Sequence, residues 1–219
     1  MQTGKLLSTI FLLTTSHALA SITTYTSSAA FDSALAGSPT AVEDYATFSL
    51  SQVIAPGSTF NGITYTSFNL SAGATEGLIT NQFNSFTGVS LGANQSIGAQ
   101  YFFDSDSFDI DFAPTYAIGV FYNVNANSGT YGFSTPVGTA NTGSAAYDIS
   151  SFVFAGLIST TPFTTATIFS DSGGNGTASF NITKIILDQT AAAPEPASIT
   201  VTALGAGLLA AFLRRRKAV

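Results

Sequence analysis

The chain has 219 residues, with 12 carboxylates against 6 cations, 1 histidine, no cysteine and no tryptophan. So little histidine and no thiol exclude the familiar nucleophile–base pairs and most transition-metal sites. Without disulfides, stability must come from core and sheet alone.

Residues 1–20 read as a secretory signal. Lys5 supplies the positive start, residues 6–13 the apolar run, and Ala18-Leu19-Ala20 a small-x-small cleavage site. The mature chain is expected to begin at Ser21. Residues 21–193 then form one domain of 173 residues, large enough for its own core. His17 falls in the signal, so the domain has no histidine at all. Its one cation is Lys184, against eleven carboxylates from Asp32 to Asp188, a net charge of −10. Such a balance favours solubility, repels anionic polymers and excludes nucleic acid as a partner. Oxygen-ligated calcium is the metal chemistry left open.

The domain reads as β structure. Residues 22–25 are a first strand, and Ser28 caps a short helix over 29–36 that ends at Gly37 and a Ser38-Pro39 turn. Ile63 and Tyr65 alternate with Thr64 and Thr66. Phe108, Ile110 and Phe112 alternate with Asp109 and Asp111. After a turn at Ala113-Pro114, Ile118, Val120, Tyr122 and Val124 share one face. Residues 153–158 and 163–169 lie on either side of Pro162, and 180–187 close the domain. Turn signals at Gly57, Asn61-Gly62, Gly88, Ser128-Gly129 and Gly173-Gly174 separate these runs. Many short strands at this spacing predict an all-β, two-layer antiparallel sandwich with one short N-terminal helix. Residues 21–189 are its extent and 190–193 a linker.

Asp104, Asp106, Asp109 and Asp111 are the densest acidic cluster. Asp109 and Asp111 share a strand face about 6.6–6.8 Å apart. Three readings fit: a calcium site, a glycosidase carboxylate pair, or a solvent-facing strand whose charges discourage edge pairing. Glu43-Asp44 is a second acidic position, read as a strand or turn end. Lys184 is expected to snorkel or to pair with a carboxylate. Tyr101, Tyr116, Tyr131 and Tyr147 are the candidate sugar-stacking rings.

The chain closes on Pro194-Glu195-Pro196, an uncharged run over 197–213, then Arg214-Arg215-Arg216-Lys217. The run makes about 26 Å of helix, the short end of a membrane span. The four cations stop transfer and stay on the cytoplasmic side, placing the domain outside. This order of turn, apolar helix and basic stop resembles the PEP-CTERM sorting signal of Gram-negative bacteria. The resemblance implies an exosortase-type membrane protease as partner, and cleavage near Pro194, Glu195 and Pro196. It further implies passage through the inner membrane to the cell surface or extracellular matrix.

The domain also resembles the jelly-roll-like β-sandwich that accompanies such tails. The resemblance rests on the helix at 25–31, the strand 60–65, the pair 108–112 and 117–122, and the run 152–169 with its Thr161-Pro162-Phe163 corner. Such sandwiches often carry an Asp in the middle of the last strand; here Thr183-Lys184 stands there. The leading expectation is a non-enzymatic structural or adhesive protein with no cofactor. The alternatives are a module binding extracellular polysaccharide, with or without calcium, and a carboxylate-only glycan hydrolase.

Overall fold

The structure, a computed structural model, describes residues 21–190 except positions 38, 40, 72, 82–87, 97, 126–128, 144–150 and 172–177. In chain order it contains β1 (Ile22–Tyr25), α1 (Ser28–Leu35), β2 (Ala41–Glu43), β3 (Val53–Ile54), β4 (Ser58–Phe60), β5 (Ile63–Asn69) and β6 (Gly77–Thr80). It continues with β7 (Ser90–Ala93), β8 (Ser107–Asn125), β9 (Thr130–Thr135), β10 (Gly138–Asn141), β11 (Ser151–Asp171) and β12 (Ser179–Asp188). Every strand pairing among the described residues is antiparallel.

Two long strands decide the architecture. The first half of β8 pairs with β5 and with the end of β11, while its second half pairs with β12 and the start of β11. In the same way β11 passes from β1 to β9. Each long strand thus belongs to two layers. One layer runs β4-β5-β8-β11-β9-β10; the other runs β1-β11-β8-β12, then β7-β6-β3, with β2 also on β12. The corners carry the prolines. Pro114 and Pro162 have no ladder partner, and the register shifts between Ile158, Phe163 and Thr165. A residue without an N–H is tolerated where the ladder breaks, and strands that switch sheets do so at such bends. The turn expected at Ala113-Pro114 is therefore a bend inside one strand, as is the break at Pro162. The Thr115 hydroxyl fixes the corner by donating to the carbonyls of Ala117 and Asp188.

The layers meet face to face through the residues whose alternation the sequence displayed. Ile63, Tyr65, Phe108, Ile110, Ile118, Val120, Tyr122 and Val124 are all buried in one core. Rings cross between the layers: Phe102 lies 5.1 Å from Phe108 and 4.9 Å from Phe180, and Tyr131 lies 6.1 Å from Tyr122. Asn61 and Gly62 both take positive φ, 48° and 82°, between the paired residues Phe60 and Ile63. That is the two-residue turn whose twist matches a hairpin.

Helix α1 begins one residue earlier than expected. Ser27 is the cap, accepting from Ala30 N at 3.4 Å, and Ala36 rather than Gly37 takes the left-handed closing position, φ 51°. Two adjacent serines offer the same cap chemistry, and in the frame capped by Ser27 the helix buries Phe31. Phe31 sits on the outside of the second layer, over the paired Gly119 and Gly156. A Cβ at Gly156 would lie 2.7 Å from the Phe31 ring, so only glycine admits this approach. Among the described residues no helix is long and apolar enough to cross a membrane. The expected helix at 197–213, Arg214 to Lys217, Pro194 to Pro196 and the signal with Ala18 and Ala20 lie outside the described residues.

Candidate functional site

The four aspartates of the calcium reading are divided by the strand geometry. Asp106 is fully buried. Its Oδ1 accepts from Ser71 N at 2.6 Å, and its Oδ2 from Phe103 N at 2.7 Å and Gln95 Nε2 at 3.1 Å. Ser105, at φ 65°, turns the chain so that this carboxylate points inward. Three connecting segments are thereby tied to one charge, the kind of anion that backbone donors stabilise strongly. Asp104 stays half-buried in the turn.

Asp109 and Asp111 share the outer face of the first layer. Asp109 accepts from Ser67 Oγ and Thr167 Oγ1, both at 2.6 Å, from the two flanking strands. Asp111 is exposed between Thr64 and Thr165. The row Thr139, Ser134, Thr167, Asp109, Ser67 crosses five strands in register. Among the described residues no three acidic, histidine or cysteine side chains gather closely enough to hold a metal ion. The calcium cluster of Asp104, Asp106, Asp109 and Asp111 is thus not assembled. A strand alternates its faces, and the Ser105 turn sends Asp106 into the interior.

Glu43, the second acidic position, is buried at the end of β2. It accepts from Tyr45 N at 2.8 Å and Asn61 Nδ2 at 2.9 Å, and Tyr65 OH donates to Tyr45 OH at 3.2 Å. Burial is the main cause that holds both phenols well above the usual tyrosine range; Tyr65 and then the Glu43 charge add to it at Tyr45, while at Tyr65 the hydrogen bond to Tyr45 works against it and the Glu43 charge with it. Burial alone does the same to Tyr122. These are folding groups with no route to solvent. Of the candidate stacking rings, Tyr131 is fully buried in the core, which removes it from that role. Tyr101 and Tyr116 are half-buried, and Tyr101 packs edge-on against Phe103 at 5.0 Å. Tyr147 lies outside the described residues.

The outer face of the second layer holds what the sequence reading missed. Beside α1 lies a groove of about 440 Å³, lined by Thr26, Ser27, Ser28, Phe121, Thr142, Phe152, Val153 and Phe154. Phe154 and Phe121 are ladder partners whose rings meet edge-on at 4.8 Å. Phe152, one step along the strand, is 57% exposed. Lys184 is the next residue in the same row, paired with Phe121, and its Nζ lies 5.0 Å from that ring's centroid. Among the described residues it pairs with no carboxylate, so a cation–π contact replaces the ion pair allowed for in the sequence reading. Its place is a register shift between Ile182 and Lys184, where a bulge re-aims the strand. A signal for this face did exist: residues 152–158 are apolar on both faces, which a half-exposed strand is not.

Residues 192–217 match the PEP-CTERM protein-sorting motif. The chain carries a PEP-CTERM sorting signal. That signal implies an exported protein sorted to the cell envelope or surface. No curated protein matches the chain. A solved carbohydrate binding module (CBM6cm-2) from Cellvibrio mixtus lichenase 5A, in complex with cellotriose, aligns over 65% of this chain and 99% of its own. The identity is 11% and the TM-score 0.27, too low for the likeness to carry any argument.

Proposed function

We propose that this PEP-CTERM protein is a non-enzymatic structural or adhesive component of the cell surface or extracellular matrix. The sorting match over 192–217 carries the reading. In it, the secretory signal is cut after Ala20 and the apolar run 197–213 halts in the inner membrane with Arg214 to Lys217 inside. An exosortase-type protease then cuts near Pro194, Glu195 and Pro196 and releases the sandwich outward. The domain suits that setting. It needs no disulfide because rings from both layers interlock in one core. Asp109, the better placed of the two outer-face acids, is engaged by two hydroxyls. Asp111 stands next to it on the same outer face, exposed to solvent.

Intact mass of the protein recovered from the washed surface of the native cell tests this. The expected chain starts at Ser21 and ends near residues 194–196. Finding the full-length chain in the soluble interior of the cell overturns the reading. Finding it at the surface with residues 197–217 still attached overturns the cleavage step alone.

A further inference from the structure

We propose that the groove beside Phe152 binds an uncharged glycan chain. The inference deepens the surface reading, which places the domain where glycans are met; the site itself rests on geometry.

At about 440 Å³ the groove falls within the range of small-ligand sites. Single exposed apolar residues are ordinary on protein surfaces. Phe152 differs because its 57% exposure lies inside a concavity, next to the Phe121 and Phe154 rings. Such a cluster marks a contact surface. The face of a pyranose that carries axial C–H bonds is slightly positive and matches the negative face of an aromatic ring.

The walls supply the complementary polarity. The Thr26 and Ser28 side chains form no hydrogen bond among the described residues, while the Ser27 hydroxyl caps α1 and Thr142 Oγ1 accepts from Tyr131 N at 3.2 Å. Each hydroxyl both donates and accepts, as a sugar hydroxyl does. Among the described residues that line the groove, none has an ionisable side chain. Among the described lining residues a cationic ligand finds no carboxylate, and a polyanion is repelled by a domain with eleven carboxylates and one cation. Lys184 supports Phe121 from the neighbouring strand rather than lining the groove. An uncharged, hydroxyl-rich ligand with apolar faces remains, and a neutral sugar chain has that chemistry.

The test is binding of the full chain, kept soluble in a sugar-free polyoxyethylene detergent, to hydroxyethylcellulose, dextran and galactomannan, with alginate as the acidic probe. Affinity electrophoresis and calorimetry read the result. At least one neutral polymer should bind, with affinity unchanged between about 0.05 and 1 M salt. F152A should weaken it about tenfold or more, and T26A with S28A about threefold, at unchanged melting temperature. K184Q should bind as the parent does. Binding to none of the neutral polymers, preference for alginate, or F152A binding like the parent overturns the proposal. None of these outcomes touches the surface reading, which is decided by where the protein is recovered and with what mass.

Discussion

The two outer faces of the sandwich use the same strands to opposite ends. Outside the first layer, β8 and β11 present Asp109, Asp111, Thr165 and Thr167 to solvent. Outside the second, the same two strands present Phe121, Phe152, Phe154, Gly119 and Gly156, covered in part by Phe31 of α1. On the polar face two hydroxyls engage Asp109, while Asp111 stays exposed to solvent. On the apolar face Phe31 covers the glycine pair, and the groove lies beside the start of the helix. A bent strand can therefore be a polar surface at one end and a packed or ligand-facing surface at the other.

Removing the ties of each face in turn sharpens this contrast. The largest effect belongs to neither face but to the buried charge between them. Asp106→Ala should cost about 3–5 kcal/mol, because three donors lose a charged acceptor in the interior. Urea denaturation reads it, and Asp106→Asn should lose less. On the apolar face, Phe31→Ala should cost about 3 kcal/mol and loosen α1, seen as faster amide exchange over 28–35.

Alkali tests the core that both faces share. The folded-state pKa values of Tyr45, Tyr65 and Tyr122 are raised, so their contribution is complete below the ordinary tyrosine value and is lost above it. In the unfolded chain they ionise near pH 10. Stability should then fall above about pH 10 by about 1.4 kcal/mol per pH unit for each tyrosine. A melting temperature flat up to pH 12 would contradict that burial. The smallest effect belongs to the polar face: Asp109→Asn should change stability by about 1 kcal/mol or less. A larger loss would mean that the hydroxyl row holds the layer together.

The alternation of Ile63 with Thr64 and of Phe108 with Asp109 was legible because an amphipathic strand writes its burial into a period of two. The Asn61-Gly62 turn was legible because positive φ at two successive residues selects that pair. Which member of the aspartate cluster turns inward was not legible, since closeness in sequence does not reveal which acid a turn sends inward. The groove was hidden for a related reason. Its residues come from positions 26–28, 121, 142 and 152–154, and no local pattern brings them together.

Residue order alone determined the sorting tail, the antiparallel β class and the inward faces of the strands, because each depends on neighbours in sequence. Only the tertiary structure decided that Pro114 and Pro162 are corners rather than ends, that Asp106 is a staple, and that Phe152 stands in a groove. Those outcomes depend on which distant segments pack together, and pairing across a hundred residues follows the balance of the whole core rather than any single stretch.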